Sequence, residues 1–168
     1  MGRANGGMVV HLGVIILAVA LASSNSFTRS QELSLEKGVP ASFGGHTFEL
    51  VGFTQTDDER KSSVAALISI DGGQAYAPAI GKYKAMGMNI GTPSVKTSFV
   101  KDIYLTLEPP VRVSSDAAKI KVFIKPMIMW LWIGGGLMAL GTFLSAFPGK
   151  RRRPTDPTSA PVPTEVTV

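Results

Sequence analysis

The chain has 168 residues, 45% of them hydrophobic, with no cysteine and a net charge of +5 from seventeen Lys and Arg against twelve Asp and Glu. That length has room for one soluble domain of about 100 residues beside two apolar spans, and the absence of thiols excludes disulfides and thiolate metal sites. Four of the basic residues stand together as Lys150-Arg151-Arg152-Arg153, where they serve membrane topology, so the charge balance does not point to nucleic acid.

After a short amino-terminal segment (1–7), Met8 to Ala22 form an apolar run preceded by Arg3 and followed by Ser23-Ser24-Asn25. A positive start, an apolar core and Ala20-Leu21-Ala22 suit either a cleaved signal peptide or a retained span. His11 favours the span, because an imidazole inside the run costs free energy that a transient targeting segment has no reason to carry. The expected transmembrane helix covers 8–24, with its amino end in the cytoplasm.

From Gln31 the apolar period changes. Glu32–Leu35, Val39–Phe43, Thr47–Val51, Val64–Ile70, Ile103–Leu107 and Ile120–Ile124 are short, partly alternating and rich in branched or aromatic residues, which predicts strands. Gly44-Gly45, Asp71-Gly72-Gly73 and Pro109-Pro110 supply the turns between them. A small all-β domain, an antiparallel barrel or sandwich, is expected over 25–125. The stretch Pro78 to Ser98, broken by Gly87, Gly91 and Pro93, reads as a long loop.

A second span follows at 126–147. Met127 to Phe147 carry no charge, which meets the ~20 residues that a hydrocarbon core requires. Pro126 suits a first helical turn, and Trp130 and Trp132 fall where amphipathic rings settle at an interface. Gly134-Gly135-Gly136 gives the helix a smooth face for a partner helix. The basic stop and a Pro/Thr-rich cytoplasmic tail, expected to be disordered, occupy 148–168. The positive-inside tendency then puts the central domain on the extracytoplasmic side.

Few residues carry chemistry. His11 must satisfy its ring nitrogens by a neighbouring side chain, by water or by a metal, and the structural hydrogen bond is the commoner solution. His46 follows a Gly-Gly turn and reads as an exposed turn residue with no second His or carboxylate at ligand spacing. Asp57-Asp58-Glu59 lacks the alternating oxygens of a calcium loop, and Gly87 to Gly91 lacks the Lys-Ser or Lys-Thr of a phosphate loop. Met86 and Met88 read as gap-fillers. Neither His joins a nucleophile constellation.

Taken together, Met8 to Val14, Leu35 to Phe48, Phe99 to Leu107 and Val122 to Gly134, above all Lys125-Pro126 with Trp130, Trp132 and Gly134, resemble the carboxy-terminal part of the CcmF-type cytochrome c haem lyase family. The resemblance runs from about Met8 to Arg153. It implies a bacterial cytoplasmic-membrane protein that works in cytochrome c maturation, with His11 at the position of a ligand to haem b shared with other helices. It also implies partners: the remaining Trp-rich part of the lyase, a haem chaperone, and apocytochrome c with its thiol-handling subunits. The family's Trp-rich haem-presenting segment has no counterpart here, so catalysis is expected to be incomplete on this chain, as half of a split lyase or as a fragment. The polar stretch that the family carries in the 78–98 region appears here as Met88-Asn89-Ile90-Gly91-Thr92. The competing expectation is a non-catalytic bitopic scaffold whose β-domain binds a peptide or lipid and whose His11 makes only a structural hydrogen bond.

Overall fold

The computed structural model describes residues 3–85, 87–111 and 116–146. The expected basic stop and tail at 148–168, and Met86, lie outside the described residues. Helix α1 (Arg3–Ser26) opens the chain and helix α2 (Ile128–Ala146) closes the described part. Between them run β1 (Arg29–Glu36), β2 (Ala41–Phe43), β3 (His46–Asp57), β4 (Lys61–Ile70), β5 (Ala75–Tyr76), β6 (Ala79–Tyr83), β7 (Asn89–Thr92), β8 (Ser94–Lys96), β9 (Lys101–Leu107) and β10 (Ala117–Pro126).

The strands form two antiparallel sheets. One has the order β1-β10-β9-β8; the other has the order β2-β3-β4-β6-β7, with β5 also pairing β4. Period-two alternation explains how the sheets share a core. On β10, Ala118, Ile120, Val122 and Ile124 are buried while the residues between them are not. Leu33 and Leu35 of β1, Ile103, Leu105 and Leu107 of β9, Phe48 and Leu50 of β3, and Ala66, Ile68 and Ile70 of β4 join them in one apolar cluster. At about 25 cal/mol per Å² of apolar surface removed from water, this cluster is the principal force holding the domain together. A register shift between Leu50 and Gly52 leaves Val51 bulged out and half exposed.

Two expectations are corrected. Pro78 to Ser98 is not a loop: β6, β7 and β8 occupy most of it, and β6 pairs with the first half of β4, Lys61 to Ala65. Its Gly and Lys content hid the strands, because β7 is exposed throughout and shows no alternation. Pro126 does not open the second helix. It is the last residue of β10, paired with Lys101, and the reversal into α2 falls on Met127 at φ +60°.

Both helices are long and apolar enough to cross a membrane. At 1.5 Å per residue, the 22-residue segment Asn5–Ser26 reaches about 33 Å and the 19 residues of Ile128–Ala146 about 28 Å, enough for a hydrocarbon core of roughly 30 Å. They leave the β-domain from adjacent strands, since Arg29 of β1 sits opposite Ile124 of β10. Two apolar helices therefore flank a β-rich domain at one of its ends, the arrangement of a membrane protein.

Candidate functional site

Along the seam between α1 and α2 the backbones nearly touch, and glycines at sevenfold spacing allow it. On α1 these are Gly6 and Gly13, with Ala20 fully buried one step further; on α2 they are Gly134 and Gly141. A Cβ added at Gly13 would lie 2.7 Å from the Gly134 carbonyl oxygen, and one at Gly141 would lie 2.7 Å from the Val10 amide nitrogen. Small residues let helices approach closely where no hydrophobic effect draws them together. Of the triple glycine, only Gly134 serves this seam, and its neighbour is a helix of the same chain. Around Gly135 and Gly136 an added Cβ meets nothing.

His11 lies on the opposite, exposed side of α1, and its Nδ1 is 2.8 Å from the Gly7 carbonyl oxygen. A carbonyl only accepts, so Nδ1 carries the hydrogen, and in a neutral ring the lone pair is then on Nε2. Gly7, Met8, His11, Leu12 and Ile15 line a shallow apolar depression there, and nothing crowds Gly7. An imidazole fixed through one nitrogen, with the other free beside a flat apolar surface, fits axial ligation of a haem iron. Among the described residues there is no group of three or more His, Asp or Glu side chains that could hold a metal ion.

His46 departs from its expected role as an exposed turn residue. Its side chain retains only 16% exposure, and its Nδ1 lies 2.7 Å from Asp71 Oδ2. The other Asp71 oxygen accepts the Thr47 amide hydrogen at 2.9 Å. That backbone hydrogen bond first, and the His46 contact second, hold the Asp71 carboxyl below its ordinary 3.8. The Lys96 ammonium adds a weaker contact at 3.6 Å. His46 Nε2 is buried without a hydrogen-bond partner, so the imidazole acts as a staple between the β2–β3 hairpin and the turn after β4. The pair is separated by 25 positions; the signal available in sequence was the Asp-Gly-Gly turn.

The neck between the sheets and the helices is a third locality. The Met127 amide donates to the Val100 carbonyl at 2.8 Å, which ties the β8–β9 loop to the start of α2. Phe99 packs edge-on against Trp130 with ring centroids 5.2 Å apart, while Trp132 is 76% exposed. Lys125 Nζ stands 5.3 Å from the centre of the Tyr104 ring. Burial first, and the Asp102 charge second, raise the Tyr104 phenol above its ordinary 10.0.

The fold and these sites define a β-domain carried on a close-packed pair of apolar helices. Its counterparts are found among cytochrome c biogenesis proteins. Over 151 residues the chain is 28% identical to the cytochrome c-type biogenesis protein CcmF of Haemophilus influenzae, a match covering 88% of this chain and 23% of that protein. It is 25% identical to CcmF of Pseudomonas aeruginosa over the same shares. The probable cytochrome c-type biogenesis protein NrfE of Escherichia coli is 24% identical over 149 residues, 86% of this chain and 27% of that one. A solved structure of the cytochrome c haem lyase CcmF superposes with a TM-score of 0.71 at 24% identity, covering 85% of this chain and 24% of that chain. No family model matches. The chain thus matches the carboxy-terminal part of CcmF-type cytochrome c biogenesis proteins, and it spans about a quarter of the length of those relatives.

Proposed function

We propose that this chain serves cytochrome c maturation as the part of a haem lyase that contributes two transmembrane helices and an outer β-domain. The observation that carries the reading is the match to CcmF proteins over 88% of the chain, beside a superposition on a cytochrome c haem lyase structure that covers 85% of it. The chain resides in the bacterial cytoplasmic membrane with the β-domain on the extracytoplasmic side. There the domain braces the docking surface for apocytochrome c and its thiol-handling subunits. The remaining Trp-rich part of the lyase supplies the other helices and receives haem from a haem chaperone.

Within that assembly, His11 would hold a haem b through Nε2. The Gly7 carbonyl fixes the tautomer and orients the ring. When bound, such a haem would supply one-electron chemistry. Leu12, Ile15 and Met8 give the imidazole an apolar surround, and the glycine seam packs α1 against α2. The chain has no cysteine, so every thiol in the reaction belongs to another protein.

Two measurements test this. The full chain is expected to co-purify with a larger, Trp-rich membrane protein. Haem b content of that assembly, read from its reduced-minus-oxidised absorbance, should fall on His11→Ala; unchanged content would overturn the ligand assignment.

A further inference from the structure

The apolar residues left exposed around the neck are ordered by height. Pro126 closes β10, and Met127 turns the chain into α2. At that level the β8–β9 loop presents Phe99 and Val100, which are 57% and 66% exposed. On the other side of the neck, Phe27 is 69% exposed two positions before Arg29, which pairs with Ile124. Trp130 and Trp132 sit in the opening turns of α2, with Trp130 against Phe99. Basic residues stand at and above this level: Lys101 pairs with Pro126, Lys125 lies one residue pair higher opposite Asp102, and Arg29 two higher opposite Ile124.

The β8–β9 loop is also stiff. Buried Asp102 accepts the Ser98 amide hydrogen at 3.1 Å, and the Ser98 hydroxyl bonds the Lys101 carbonyl. With Val100 tied to Met127, the tip cannot fold back onto the domain. Phe27, Phe99, Val100 and Trp132 would each cost free energy if held in water together at this one end of the domain. At the level where a helix enters a bilayer, the same side chains are stabilised, and aromatic rings with basic residues above them match the boundary between acyl chains and phosphates.

We infer that the β8–β9 loop is an interfacial membrane anchor, with Phe99 and Val100 inserted beside Trp130 into the boundary layer of the outer leaflet and Lys101 and Lys125 facing its phosphates. The occupant is lipid, because the patch is continuous with two helices whose apolar sides face the bilayer. The inference rests on the reading of α1 and α2 as spans. It makes the β-domain a fixed attachment on the membrane surface: loop, neck and helix start form three points of contact, and the domain cannot swing about Met127.

The test uses the full chain in phosphatidylcholine bilayers, with Trp130→Phe and Trp132→Phe removing the native tryptophans. Single probes are then placed by Phe99→Trp, Leu140→Trp and Met88→Trp. Leu140 is exposed in the middle of α2, and Met88 lies in the β6–β7 hairpin, which the Lys61–Tyr83 pairing places at the far end of β4. With acyl chains brominated near the carbonyl end, the Phe99→Trp emission should fall roughly twofold, and less with bromines near the methyl end, as an interfacial ring requires. Leu140→Trp should show the reverse order, and Met88→Trp no quenching. Quenching at 140 with none at 99 overturns the anchor alone, and a blue-shifted but unquenched Phe99→Trp assigns the patch to a protein neighbour or a second copy instead. Deep-bromine preference at 99 makes the loop part of the span and also overturns it. No quenching at 140 removes the spanning reading, and the anchor with it.

Discussion

The β-domain and the helix pair solve opposite packing problems. In the domain, Leu35, Phe48, Leu50, Ile68, Ile120 and Val122 have no exposure, and the side chains meet while the backbones stay apart. In the helix pair, Gly13, Gly134 and Gly141 bring backbones together, while Met8, Ile15, Leu140 and Phe143 stay outside. Water drives the first arrangement and contributes nothing to the second, where close contact between backbones and the surrounding lipid or neighbouring helices must suffice. The domain is complete in itself; the pair is complete on one side only.

Substitutions can separate the two regimes. The largest effect is expected from Phe48→Ala, which empties the middle of the shared core. It should cost about 3–5 kcal/mol in a urea titration of the domain and leave the helix seam intact. Next is Gly13→Leu. The new side chain meets the Gly134 carbonyl oxygen, so helix association should weaken by roughly 1–3 kcal/mol, as overpacking does. Spin labels at Leu12 and Leu140 should then report a wider separation, whereas Gly136→Leu, with open space around it, should leave that distance unchanged. If both variants behave alike, the seam is not the contact that pairs the helices.

The smallest effect is expected at Asp71→Asn, since the carboxylate is 41% exposed and solvent screens its partners. A loss below about 1 kcal/mol is expected. Its pH dependence is the sharper test. Because the folded state lowers the Asp71 pKa, its contribution is whole above the ordinary 3.8 and disappears as pH falls through the lower folded value. The stability gap between wild type and Asp71→Asn should therefore be flat at neutral pH and close only in strong acid.

What could be read from the sequence divides along the same line. Runs such as Val64–Ile70 and Ile120–Ile124 announced β4 and β10, because branched residues at period two state both the strand and its buried face. The exposed strand β7 carries no such code. At the neck, Lys125-Pro126 looked like a helix start, yet sheet pairing with Lys101 and Asp102 holds those residues as strand. The triple glycine drew the eye to three adjacent residues, although a helix brings one position in seven back to the same seam. Gly6, Gly13, Gly134 and Gly141 carried that signal at their true spacing. His46 and Asp71 were individually visible, but only the β3–β4 pairing brings them together. His11 stood out for the opposite reason: in a run of aliphatic residues, one imidazole needs no partner in sequence to be noticed.

The pairing of Arg29 with Ile124 also sets a timetable. The first helix leaves the ribosome well before the second, with the whole β-domain, roughly 100 residues, still to be made between them. Contacts closed over such a distance form late, since the loop entropy must be met before they contribute. During synthesis the first helix therefore stands without its partner helix until the second has been made. Pairing of the last strand with the first brings the feet of the two helices together, so the sheet and the glycine seam are coupled through the same end of the domain.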